Sequence, residues 1–195
     1  MKFPDEVSNY LRKRKLSGQG ELQDQIRRAY KQLLTLIPLI DASLPQSILD
    51  IGCGLGCVDV LLARLGVKVV HLMDGDGTAL RRDDYAVNME AWNDVKLAAD
   101  IVQMNAPADT VVHAHRVDPD LYASVEMIIS FKSWGTHYPV ATYLPLAQRC
   151  LKPGGLLVLD LRKGIDVSAD VREIVDAGFE VCMQLSDRQW AFVRR

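Results

Sequence analysis

Asp50-Ile51-Gly52-Cys53-Gly54-Leu55-Gly56 sets three glycines at alternate positions behind a carboxylate, a pattern that suits holding a ligand against the main chain. Gly52 and Gly54 allow backbone to approach a bound molecule where a Cβ would collide. Leu55 to Leu65 reads as a helix, and the amides of its first turn would point back to the same place. A second chemical centre is the polar-aromatic run Phe131-Lys132-Ser133-Trp134-Gly135-Thr136-His137-Tyr138-Pro139. A histidine of ordinary pKa suits taking a proton from a hydroxyl, and His137 is the one in this run. It equally suits capping a helix that begins near Tyr138, or hydrogen-bonding a loop carbonyl. Lys132 and Ser133 suit orienting acceptor oxygens, and Trp134 and Tyr138 suit stacking on a ring or pyranose face.

Strands and helices must alternate to bring these two runs together. Ile48, Leu49 and Ile51 make the strand expected at 46–52 apolar on both faces, as in a parallel sheet covered on both sides. Further strands are expected at 67–73, 110–117, 125–131, 155–161, 179–184 and 189–194, with helices between most of them. Only Leu185-Ser186-Asp187-Arg188 separates the last two strands, a hairpin-length link, so they run antiparallel. Leu22, Ile26, Tyr30, Leu33, Leu34 and Ile37 recur at helical spacing, which predicts an amphipathic helix over 21–37 ending near Pro38. The division expected is an N-terminal helical segment, 1–43, before one α/β domain, 44–195. In such an open sheet the carboxyl ends of the central strands line the ligand crevice, so both chemical runs fall on that edge.

Composition narrows the classes. The chain has 195 residues, 49% of them hydrophobic, and a net charge of −2, enough for one packed core and without a global pull on polyanions. No apolar run approaches the about 20 residues that span a bilayer, and the first residues carry no signal-peptide character, so a cytoplasmic protein without a membrane partner is expected. Cys53, Cys57, Cys150 and Cys182 form no Cys-x-x-Cys pair, and no metal site is expected. Asp74-x-Asp76-x-Thr78 is not a calcium loop, because Ala79 stands where glycine and Tyr85 where glutamate is needed. His113 and His115 alternate on one strand face and read as partly exposed structural residues.

The run from Ser47 to Gly56 resembles the first motif of the class I S-adenosylmethionine (SAM) dependent methyltransferases. A dinucleotide fingerprint would need glycine where Cys57 stands. Three further stretches resemble the same family in the right order: Val67 to Asp74, a strand ending in an acid; Val111 to Asp118, likewise; and Leu151-Lys152-Pro153-Gly154-Gly155 before a strand. The resemblance implies a Rossmann-like, doubly wound, mostly parallel seven-stranded sheet of order 3-2-1-4-5-7-6, with SAM as cofactor. It places Asp50, Gly52, Cys53, Gly54, Asp74, Gly75, Asp118 and Ser130 at the cofactor. Asp74 would accept hydrogen bonds from both ribose hydroxyls, with Asp76 as the competing residue, and Asp118 would face the adenine amino group.

The methyl acceptor is read from the stretch after the fourth strand. The Asn/Asp-Pro-Pro-Tyr/Phe tetrad that grips an extruded base in nucleic-acid adenine methylases is absent, which speaks against DNA and RNA. Ser133-Trp134-Gly135-Thr136-His137-Tyr138-Pro139 instead resembles a phrase of sugar O-methyltransferases, with Thr136 in place of an aromatic. The expectation is a methyltransferase acting on a small-molecule hydroxyl, of a sugar or another metabolite, with His137 as general base and Lys132, Ser133, Trp134 and Tyr138 at the substrate. Two other classes compete: an RNA or protein methyltransferase docking through the basic run Arg12 to Lys15 with Arg27, Arg28 and Lys31, and a SAM-binding protein without catalysis.

Overall fold

Ser47–Ile51 (β1) is buried at every position, so both faces of this strand are covered, as its apolar sequence demands. The computed structural model describes residues 1–8, 11, 18–41, 43–74, 94–117, 121–162 and 167–195. β1 lies at the centre of one seven-stranded sheet with β2 (Val69–Met73), β3 (Val111–His115), β4 (Val125–Ser130), β5 (Leu151–Asp160), β6 (Phe179–Gln184) and β7 (Gln189–Arg194). The strand order is β3-β2-β1-β4-β5-β7-β6, the order the resemblance implies. β1 pairs in parallel with β2 and β4, and β7 runs antiparallel to both its neighbours.

Helices cover the two faces. On one side α1 (Gly18–Ile40), α2 (Cys57–Leu65) and α3 (Val95–Asn105) share a core with Ile48, Val70, Leu72 and Met127. On the other, a single 3-10 turn (Val140–Thr142), α4 (Leu144–Cys150) and α5 (Val167–Asp176) pack on Leu49, Ile51, Ile128 and Phe192. Asp94 starts α3 by accepting the main-chain N–H groups of Lys96 and Leu97, at 3.0 and 3.1 Å, two donors that a helix start leaves unpaired. No described helix is long and apolar enough to cross a membrane.

Three expectations are corrected by the fold. α1 runs through Pro38 to Ile40; the proline sits exposed in the last turn, where its missing N–H costs less than in a helix interior. Its buried stripe is Ala29, Leu33, Leu36 and Ile40, while Tyr30, Leu34 and Ile37 face outward. Two adjacent apolar stripes compete on this helix, and the one containing small Ala29 is buried. The helix expected near Tyr138 begins later, at Val140, with Pro139 in the capping position and no side-chain cap. His137 is therefore not a helix cap.

β2 and β3 also bring three histidines onto one face. His71 pairs in register with His113, its ring 4.6 Å from that of His113 and 5.2 Å from that of His115. His71 Nδ1 and His115 Nε2 are 3.0 Å apart, sharing one proton between two ring nitrogens. Burial, with the charges that His113 and His115 would carry, pushes His71 down to about 4. The sequence separates His71 from the other two, and strand register alone joins them.

Candidate functional site

The glycine turn is bent by φ angles of +81° at Gly52, +60° at Gly54 and +66° at Gly56, a region in which side chains with a Cβ are strained. Main-chain bonds dock the turn onto the end of β2: Gly52 N donates to Met73 O at 2.7 Å, and Cys53 N to the same oxygen at 3.4 Å. Asp74, the first residue past β2, closes the contact, its Oδ2 accepting from Gly54 N at 2.7 Å. Asp74 N in turn donates to His115 O at 3.3 Å. The carboxyl ends of three adjacent strands are thereby tied into one edge, which is where an open parallel sheet binds its ligand.

Beneath the turn lies a pair of acids. Asp50 is 2% and Asp59 0% exposed, and their side chains hydrogen-bond one another. Burial first, then the charge of Asp59, pushes the Asp50 carboxyl well above the usual carboxylate range. Burial pushes Asp59 up to about 7. Two carboxyls can bond only through a proton held between them, and burial favours keeping that proton. Cys53, buried beside Asp74, Asp50 and Asp59, is held in the thiol form, by burial first and then by these three carboxylates. The sequence reading found Asp50 and missed Asp59. The available signal was a carboxylate inside the apolar run Val58-Asp59-Val60-Leu61-Leu62.

The acceptor loop folds directly onto the glycine turn. A Cβ built on Gly52 would overlap Ser133 Cβ and Oγ. Ser133 O accepts the amides of Thr136, His137 and Tyr138, at 3.1, 2.7 and 3.3 Å, which curls 133–138 into a tight turn. Thr136 Oγ1 donates to Asp160 O at 2.9 Å, and Arg162 N to Gly135 O at 3.2 Å, fixing the loop to the end of β5. His137 and Tyr138 are half-buried and Lys132 is exposed. Lys132 adopts φ +63°, and its main-chain N–H donates to the Asp160 carboxylate. Burial raises Asp160 above the ordinary carboxylate value, against the pull of Lys132 and Arg188.

Two expected ligand contacts are used inside the protein instead. Ser130 is 0% exposed; its hydroxyl donates to Ile51 O at 2.6 Å and accepts Trp134 N at 3.0 Å. It joins the ends of β1 and β4 and presents no hydroxyl to a cofactor. Trp134 is also 0% exposed, with Nε1 donating to Val140 O at 2.7 Å and its ring edge-on to Tyr143 at 5.9 Å. It is a wall of the loop, because a buried indole needs an acceptor for its N–H, and it offers no free face to a substrate ring. Gly75, Asp76 and Asp118, with the basic run 12–15, lie outside the described residues. Among the described residues no group of three or more His, Cys, Asp or Glu side chains is arranged to hold a metal ion.

The geometry can be compared with known proteins. No family model matches the chain, and no curated protein does so by sequence. Solved structures do match. Magnesium protoporphyrin IX methyltransferase from Synechocystis PCC 6803, solved with S-adenosylhomocysteine bound, superposes with a TM-score of 0.63 at 20% identity, covering 98% of this chain and 95% of that one. The fibrillarin pre-rRNA processing protein of Methanococcus jannaschii gives 0.54 at 11% identity over 77% of this chain and 67% of that one. The [4+2]-cyclase SpnF gives 0.51 at 18% identity over 70% and 52%. These neighbours differ in the chemistry their names give and share an architecture, so the likeness speaks for the architecture. The chain has the fold of the class I SAM-dependent methyltransferases.

Proposed function

We propose that the protein binds SAM at the Gly52–Gly56 turn and transfers its methyl group to a hydroxyl of a small-molecule acceptor, a sugar or another metabolite. The observation that supports this most is the bond from Gly54 N to Asp74 Oδ2, made beside a buried, donor-poor acid pair at the carboxyl edge of the sheet. Those residues fit the cofactor. Gly52 and Gly54 leave room for its approach to the main chain, Asp74 offers a carboxylate for the ribose hydroxyls, and Asp50 offers negative charge for the amino-acid end. SAM supplies an electrophilic methyl on a sulfonium, and the protein's task is chiefly positioning, worth up to about 7–11 kcal/mol when two reactants are held in attack geometry.

The acceptor enters from the 131–139 loop in this reading. Ser133 packs on the cofactor turn, Lys132 reaches outward with a charge suited to a phosphate or carboxylate on the substrate, and Tyr138 flanks the opening. His137 takes the hydroxyl proton as the oxygen attacks. The loop carries no base-gripping tetrad and the net charge is −2, which favours a small molecule over nucleic acid. Calorimetry with SAM and with NAD, followed by methyl transfer from labelled SAM into panels of small hydroxyl compounds, tRNA and rRNA, tests the reading. SAM binding with label in a small acceptor is expected. NAD binding without SAM binding overturns the cofactor, and label in RNA overturns the acceptor and assigns docking to the basic N-terminal run.

A further inference from the structure

The Asp50 and Asp59 carboxyls face one another in the core at the edge of the glycine turn, both buried. Asp50 comes from β1 and Asp59 from the first turn of α2. Among the described residues no N–H donor reaches Asp50 Oδ1, and Asp59 is met by Asp50 and by its own main-chain N–H. Buried carboxylates are ordinarily satisfied by such donors, since a naked buried charge is costly. Asp74 at the end of β2 adds negative charge at Asp50, and Cys53 in the turn stays a thiol. Cys57 in α2 is pushed up to about 12, by burial first and then by the charge of Asp59, against the pull of the N-terminal ammonium and Arg28 of α1.

We propose that the Asp50–Asp59 pair is a proton-exchange site of the cofactor pocket: it gives up its shared proton to solvent when Asp50 takes the α-ammonium of SAM. The inference rests on the SAM reading above and deepens it. With the pocket empty, the proton bridges the two facing carboxyls and leaves them a single negative charge between them. With the ammonium in place, the ligand's positive charge offsets one of two carboxylates, and the proton leaves to buffer as H⁺ with no other bond made or broken. Asp59, an acid buried inside an apolar helical run, then acts as a positioning residue that poises Asp50. The consequence is linkage: SAM affinity rises with pH through the neutral range, by up to about tenfold per pH unit while the proton is held, and flattens once it is lost.

The test is calorimetry of the full chain near pH 7 in phosphate and in Tris, whose ionisation enthalpies differ. Titration with SAM and with S-adenosylhomocysteine, which both carry the α-ammonium, is expected to release up to one proton per molecule bound. 5′-Methylthioadenosine, which lacks the amino-acid end, is expected to bind with the same heat in both buffers. Asp59→Asn should bind SAM with no proton release and a flat pH profile, because the amide donates to an ionised Asp50. Equal heats for SAM in the two buffers, or equal proton release by methylthioadenosine, would overturn the inference and leave SAM binding standing. Absence of SAM binding would overturn the cofactor reading and this inference together. Should Asp59→Asn fail to fold, the wild-type comparison of the three ligands decides the matter alone.

Discussion

Ser133 fills the space that a side chain on Gly52 would need, so the loop proposed to hold the methyl acceptor is seated on the turn proposed to hold the methyl donor. Gly52 thus meets two demands at once, a φ of +81° and a close approach from the chain after β4. Gly52→Ala is expected to cost about 1–2 kcal/mol from backbone strain alone and to push the acceptor loop away. Its melting temperature and SAM affinity should both fall. Adding Ser133→Gly should return the steric part of the loss and not the strain, a difference that a double-mutant cycle measures.

Asp74 carries a second prediction. Asp74→Ala removes the acceptor of Gly54 N and the carboxylate proposed for the ribose, a charge-assisted contact worth about 1.5–3 kcal/mol. SAM affinity measured by calorimetry should drop about tenfold to a hundredfold. Unchanged affinity would transfer the ribose role to Asp76.

For Trp134 the expected loss is in stability. Trp134→Phe leaves the buried Val140 carbonyl without its donor, at a cost of about 1–3 kcal/mol, and opens space beside Tyr143. Melting temperature should fall, while KM for the acceptor stays as it was in the folded enzyme. A raised KM at unchanged stability would restore the stacking role that the sequence suggested.

The histidine cluster on β2 and β3 predicts an acid limb. His71 sits near 4 when folded against about 6.5 in an unfolded chain. The unfolded state therefore binds more protons between those values, and His71's contribution is complete above about pH 6.5 and lost as pH falls toward 4. Asp59 has the opposite sign: its folded value near 7 lies above its unfolded one, so its contribution is lost as pH rises toward 7. The two trends oppose one another in the wild type. The His71 part is isolated by His71→Gln, whose loss of stability from pH 7 to pH 5 should be smaller than that of the wild type.

Chain order carried most of this architecture. Alternating apolar runs and helices, with a four-residue link before β7, leave little freedom once strands must be buried on both faces, and the sheet has the order the motifs imply. Local patterning failed where two answers shared one pattern, as on α1, where the stripe through Ala29 and the stripe through Tyr30 both repeat at helical spacing. The site was legible where it is written in backbone demands, as at Gly52 and Gly54. It was not legible where a side chain's use depends on a neighbour far along the chain. Ser130 is spent on Ile51, Trp134 on Val140, and Asp59 faces Asp50, pairings that only the packed strands and α2 create.

His137 gives the last prediction. It is half-buried in a turn whose amides converge on Ser133 O, and Val140, not His137, begins the next helical turn. The imidazole is proposed as the base that takes the acceptor's hydroxyl proton. Removing a positioned base costs about 10²–10⁴ in rate, and a residue that never touches SAM leaves cofactor affinity intact. His137→Ala should bind SAM as the wild type does, melt close to it, and turn over poorly. The wild-type rate should fall below a pKa in the neutral range, a limb the variant lacks. Full turnover in the variant would mean that the acceptor arrives already ionised or as a neutral amine, and joint loss of folding and SAM binding would make His137 a structural part of the turn.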